Sequence, residues 1–188
     1  MENKRKPNPK MVWPTKILAT AALCLAMSFL LSYVKLFSMP LGGSVTLASM
    51  LPVMLFGWLY GVRKGLVVGF AYGVLQFLQG PYIVHWAQVL LDYPVPFAML
   101  GLAGVFRRYE GKPWALPAGV LLGATARFIV HTVCGMIFYT DYTELNLFSG
   151  MVASAAYNGA YIGVDALICM AIVAIPPVQQ MIHRLKTL

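Results

Sequence analysis

The sequence predicts an all-α integral membrane protein with six transmembrane helices and both termini in the cytoplasm. Composition is the first reason: of 188 residues, 60% are hydrophobic and 11% charged, where a soluble domain carries about 25% charged residues. Mean hydropathy is +0.73. That excludes a water-soluble enzyme, a disordered chain and a collagen-like chain, and it leaves no room for an ATPase domain. Segmentation is the second reason, since the apolar residues fall into runs of helical length. The third is charge placement: twelve of the fourteen Lys and Arg residues sit at the ends of those runs.

Helix 1 is expected over about residues 15–37, with Pro14 suited to a helix start. The apolar run from Ile17 to Phe37 exceeds the roughly 7–15 residues of a signal-peptide core, so it reads as a first span. Helix 2 follows over about 45–60 and contains Pro52. Helix 3 is short, about 65–79. Helix 4 covers about 84–106 and holds Pro94 and Pro96. Helix 5 runs over about 115–139. Helix 6 covers about 150–175, stopped by Pro176 and Pro177. A span needs about 20 apolar residues, so helices 2 and 3 are too short to cross without bending. Broken helices of this kind are tolerated where they line an enclosed cavity.

The basic clusters orient the bundle. Lys4, Arg5, Lys6, Lys10 and Lys16 precede helix 1, and Arg63 and Lys64 separate helices 2 and 3. Arg107, Arg108 and Lys112 follow helix 4, and Arg184 and Lys186 lie near the C-terminus. Lys and Arg mark cytoplasmic loops, whereas the opposite loops carry Lys35, Asp141 and Glu144. The expected organisation is a basic cytoplasmic segment over 1–14, a six-helix membrane domain over 15–177 and a cytoplasmic tail over 178–188. Scattered clusters are not the contiguous basic face that nucleic acid requires, so no nucleic-acid partner is expected. Cys24, Cys134 and Cys169 all lie in apolar stretches with no metal-ligand spacing, and read as small buried hydrophobes.

Ionisable groups inside the spans are costly, about 2.5–3.5 kcal/mol for Asp or Arg at a helix centre. At 1.5 Å per residue, Asp92 of helix 4, His131 of helix 5 and Asn158 of helix 6 each fall about 12 Å from the outer end. Tyr82, Trp86, Tyr93, Tyr139, Tyr142 and Tyr157 lie at or above that level. A carboxylate, an imidazole and an amide inside an aromatic enclosure suit a small flat cationic or heteroaromatic ligand. The carboxylate balances charge, the rings stack, and His131 and Asn158 read heteroatoms. Arg127 and Asp165 share a second, deeper level and are expected to form a structural ion pair. Arg127 is also placed one turn from His131, where the pair can orient the imidazole.

On helix 1, Ala22 and Ala26 have the four-residue spacing that lets another helix approach closely. No phosphate loop, H-E-x-x-H or G-x-S-x-G motif occurs. No internal repeat is evident either. The residues therefore describe a binder without its own motor, not an enzyme, with no cofactor.

Several stretches together resemble a known family. They are Ser32-Tyr33-Val34-Lys35-Leu36-Phe37, Met39-Pro40-Leu41-Gly42-Gly43-Ser44-Val45-Thr46-Leu47, Gly80-Pro81-Tyr82-Ile83-Val84-His85 and Leu91-Asp92-Tyr93-Pro94. Arg127-Phe128-x-x-His131-x-x-x-Gly135 and Tyr157-Asn158-Gly159 continue the pattern. The chain is similar, over about 15–175, to the thiamine-specific S components (ThiT/YuaJ family) of energy-coupling factor (ECF) transporters. The resemblance implies an S-component-like bundle in a prokaryotic cell membrane, binding thiamine with high affinity. Transport would use a transmembrane coupling subunit and two ATPase subunits on other chains.

By position, the resemblance assigns Asp92, Tyr93, Tyr82, His131, Gly135, Tyr139 and Asn158 to substrate binding, and Ala22 and Ala26 to docking on the coupling subunit. Ala153 stands where the family often has tyrosine, Phe37 and Met39 where some members offer a tryptophan, and Asp92 where some have Glu. A thiamine precursor or analogue sharing the pyrimidine, or a related vitamin, is an alternative ligand. A stand-alone proton-coupled carrier using Asp92 and His131 is an alternative mechanism, and an intramembrane enzyme using the same two groups as acid and base is a further one.

Overall fold

A computed structural model describes residues 11–138 and 146–187. Helix α1 (Thr15–Tyr33) leads into an antiparallel hairpin, β1 (Lys35–Ser38) and β2 (Ser44–Thr46). Helices α2 (Leu51–Tyr60) and α3 (Val62–Phe77) follow. A proline-broken rod comes next: α4 (Trp86–Asp92), α5 (Pro94–Ala98) and a 3₁₀ run over Met99–Tyr109. Helices α6 (Ala115–Phe138), α7 (Leu147–Ala174) and α8 (Pro176–Thr187) complete the chain.

Each segment expected as a helix contains helix among the described residues, the fourth as the broken rod, and two ends differ. Residues 35–37 and 45–46, expected in helices 1 and 2, form the hairpin instead, so the fold is not purely α. Lys35 pairs with Thr46, Phe37 with Val45 and Ser38 with Ser44. The reason is local: Pro40 has no amide hydrogen to continue a helix, and Gly42 takes a φ of +94°, open to glycine. At the other end, α8 occupies the segment expected as a tail. Its Ile182 is buried, and Gln179 Nε2 donates to the carbonyls of Val173 (2.8 Å) and Pro113 (3.2 Å).

Among the described residues, four helical segments are long and apolar enough to cross a membrane: Thr15–Tyr33, Trp86–Tyr109, Ala115–Phe138 and Leu147–Ala174. α2 and α3 are shorter. They are held by backbone contact with the rod. A Cβ on Gly65 would lie 2.8 Å from the Gly101 Cα, one on Gly69 2.9 Å from the Ala98 Cα, and one on Gly73 2.7 Å from the Pro94 Cα. Glycines at four-residue spacing thus press one face of α3 onto the stretch 93–101. The core beneath includes Met50, Met54, Phe56, Tyr72, Leu100 and Val120, all fully buried.

Pro94 breaks the rod because it lacks an N–H and its ring crowds the carbonyl four residues earlier. Tyr93 absorbs the break at φ −117°, ψ −81°. Asp92 is therefore the last residue of α4, set at a discontinuity in the middle of an apolar rod.

Candidate functional site

A cavity of about 480 Å³ opens at this break. Its walls come from the end of α1, the hairpin, α3, the rod, α6 and α7. Asp92, Tyr93, Tyr82, His131, Gly135 and Asn158 all line it. Tyr139, Asp141, Tyr142 and Glu144 lie outside the described residues.

Asp92 is gripped on both carboxylate oxygens. Gln88, one turn earlier on α4 and fully buried, donates from Nε2 to Oδ2 at 2.5 Å. His131 Nδ1 lies 3.4 Å from Oδ1. The same Gln88 amide donates to the Tyr82 carbonyl at 3.0 Å and accepts from the Val84 N–H at 3.2 Å. The Tyr82 N–H in turn donates to the Tyr93 hydroxyl at 3.2 Å, and the Tyr93 ring meets Phe77 edge-on at 5.4 Å. One buried amide therefore ties the carboxylate to the loop that carries the rim tyrosine.

On α6, Arg127 and His131 are one turn apart. Arg127 Nε donates to His131 Nε2 at 3.4 Å, and its guanidinium lies over the Phe97 ring at 4.2 Å. Both imidazole nitrogens thus face protein partners, and the ring packs edge-on to Phe97 and Tyr161 at 6.3 and 6.4 Å. Gly135 lets α7 come close: a Cβ there would sit 3.0 Å from Ser154 Cβ. On α7, Asn158 Nδ2 donates to the Ser154 carbonyl (2.9 Å) and hydroxyl (3.2 Å), while its Oδ1 accepts from the Tyr161 hydroxyl at 2.8 Å.

Two expectations are corrected. Arg127 and Asp165 both line the cavity, but no ion pair between them is present among the described residues. Asp165 accepts instead from the Thr46 N–H (2.8 Å) and hydroxyl (2.9 Å), and Ser49 Oγ lies 2.7 Å from Thr46 Oγ1. A buried carboxylate is satisfied by good donors as well as by a cation, and the hairpin supplies those donors. Trp86 is 73% exposed and does not line the cavity. It sits at the start of α4, beside the His85 ring at 5.5 Å.

Tyr157 closes the hairpin side of the cavity. Its hydroxyl accepts from the Gly43 N–H at 2.9 Å and donates to the Pro40 carbonyl, so α7 holds the tip of the hairpin over the cavity. Sequence reasoning missed Gln88, the hairpin and this clasp. The signal for Gln88 was available, since it stands four residues before Asp92 on one helix face. Ala22 and Ala26 are exposed on α1, away from the cavity. Among the described residues no cluster of three His, Cys, Asp or Glu side chains has metal-binding proximity.

An anionic group at the break of a rod, walled by Tyr82, Tyr93, Phe97, Tyr157 and Tyr161, is suited to a flat organic cation. Comparisons agree with a transport role. Residues 18–184 match the family model described as thiamine transporter protein (Thia_YuaJ). Thiamine transporter ThiT of Bacillus subtilis (strain 168) is 30% identical over 149 residues, covering 73% of this chain and 77% of that protein. The solved structure of ThiT from Listeria monocytogenes superposes with a TM-score of 0.76 at 22% identity, over 91% of this chain and 97% of that one. The S component of a bacterial ECF transporter superposes at 0.59 with 17% identity, over 91% and 98%.

Proposed function

The chain belongs to the thiamine transporter family (Thia_YuaJ), and from that premise we propose that it is the thiamine-binding membrane subunit of an ECF-type importer. The observation that carries the reading is the aromatic-walled cavity with Asp92 at the break of the rod. The thiazolium of thiamine is a flat cation, and Asp92 balances its charge while Tyr82 and Tyr93 flank it. His131, Gly135 and Asn158 form the facing wall, and the family resemblance adds Tyr139 to the same site.

In this reading the chain crosses a prokaryotic cell membrane six times with both termini cytoplasmic, as the basic clusters favour. The 1–14 segment and the 178–188 tail lie on that side of the 15–177 domain. The exposed Ala22 and Ala26 dock α1 on a transmembrane coupling subunit, and two ATPase subunits supply the energy. The chain itself has no catalytic step. Ala153, a small residue lining the cavity, supports a second reading in which a thiamine precursor with the same pyrimidine is the ligand.

Equilibrium dialysis of labelled thiamine against the purified chain, with the free aminopyrimidine as competitor, tests both. Saturable thiamine binding that Asp92→Asn weakens about tenfold or more supports the first reading. Binding of the pyrimidine alone selects the second. Affinity unchanged in Asp92→Asn removes Asp92 from the site.

A further inference from the structure

The contacts of His131 fix more than its position. An arginine guanidinium carries only donors and stays protonated at any accessible pH. Its Nε–H is directed at His131 Nε2, and a nitrogen facing a permanent donor has to offer its lone pair. The ring proton of a neutral imidazole then resides on Nδ1, which faces the Asp92 carboxylate at 3.4 Å. Asp92 accepts at its other oxygen from the Gln88 amide, a donor as well.

Every hydrogen bond in the row thus points toward Asp92, with Arg127 donating to His131, His131 to Asp92, and Gln88 to Asp92 from the other side. The charged and titratable groups against the ring are Arg127 on its own helix, Asp92 on α4 and Tyr161 on α7. The first two contact its nitrogens, and the Tyr161 hydroxyl is spent on Asn158. Arg127 is 7% exposed, and its stacking on Phe97 fixes the plane of the guanidinium.

We propose that Arg127 is a positioning residue that holds His131 as the neutral imidazole protonated at Nδ1, so that Asp92 is presented to the cavity as an ionised, acceptor-only carboxylate. Water favours the opposite tautomer for a free histidine. With the proton on Nε2, the Nδ1 lone pair would confront the carboxylate lone pairs and turn Asp92 away. Two consequences follow. His131 has no nitrogen left for the ligand and serves as a wall. The row also ends at a group that never gives up its proton, so it has no exit for a proton relay, unlike the carrier alternative.

The tautomer itself does not depend on the thiamine reading, whereas its effect on binding rests on it. The chain has three histidines, so the full-length protein labelled with ¹⁵N-histidine in micelles gives a tractable long-range ¹H–¹⁵N spectrum, with His131→Gln identifying the signals of His131. The expected wild-type spectrum at neutral pH shows a protonated Nδ1 and a bare Nε2 at this residue. Arg127→Met should move the proton to Nε2 and weaken thiamine binding about tenfold, and Arg127→Lys, which restores a donor, should recover both. A wild-type His131 protonated at Nε2 or at both nitrogens overturns the proposal even if Arg127→Met fails to fold. So does a folded Arg127→Met protein whose tautomer is unchanged. If wild type shows the expected tautomer yet binds no thiamine, the tautomer assignment stands and the transport reading fails.

Discussion

Gln88 and Asp92 form an amide–carboxylate pair one helical turn apart, 2.5 Å between Nε2 and Oδ2, with the amide fully enclosed. The amide spends its remaining capacity on the backbone of residues 82 and 84. Gln88→Leu should therefore weaken ligand binding although Gln88 need not touch the ligand. The expected loss is about tenfold, or ~1.4 kcal/mol, since a buried carboxylate then lacks a donor it needs. Equilibrium dialysis measures it, and an affinity equal to wild type would show that Asp92 is oriented without Gln88.

The glycine face of α3 gives a prediction about stability. Gly73→Ala places a methyl 2.7 Å from the Pro94 Cα, where backbone has to yield. Overpacking of this kind costs about 1–3 kcal/mol. A lowered thermal midpoint of the detergent-solubilised protein is expected. The Gly163 site is the control, because a Cβ there meets nothing within 4 Å; Gly163→Ala should not lower the midpoint.

Asp165 is held by the hairpin and not by Arg127. Thr46→Val, which removes the hydroxyl donor but keeps the shape, should destabilise the protein by about 1–3 kcal/mol, the cost of leaving a buried acceptor short of a partner. Denaturant or thermal unfolding of Thr46→Val beside wild type measures this. Equal stabilities would mean that the Thr46 N–H alone suffices for Asp165.

Tyr157→Phe deletes a hydroxyl that bonds to both Pro40 and Gly43. Hydrogen exchange at Gly43, whose amide then loses its acceptor, should accelerate, and bound thiamine should dissociate faster. Mass-resolved exchange over residues 39–45 and a chase with unlabelled thiamine are the two measurements. Exchange at the wild-type rate would show that the hairpin tip is held by its own turn.

The parts of this site legible in the sequence were those whose chemistry clashes with their surroundings. Asp92, His131 and Asn158 stand out because polar groups in a span are expensive, and helical rise alone brought them to one level. The hairpin stayed hidden because a short apolar run such as Val45-Thr46-Leu47 fits strand and helix alike. Gln88 is uncharged and gave no comparable alarm. Arg127 and Asp165 showed how far depth goes as evidence: the two do share a cavity, but rotation about each helix, which depth does not encode, aimed one at His131 and the other at Thr46. The close approach of α3 to the rod was present as Gly65, Gly69 and Gly73, a spacing whose meaning depends on which helix is its neighbour.

Helix α1 touches the bundle along a narrow edge. Ala21, Ser28 and Ser32 are its buried residues, while Leu18, Leu23, Met27 and Leu30 project outward with Ala22 and Ala26. Most substitutions on that outer arc will leave melting curves and ligand titrations of the lone subunit untouched. With α1 docking on a partner as proposed, a deleterious variant there would pass every assay of the isolated protein and fail only in a living cell, so screens meant to sort harmful changes from harmless ones in α1 have to score growth or uptake.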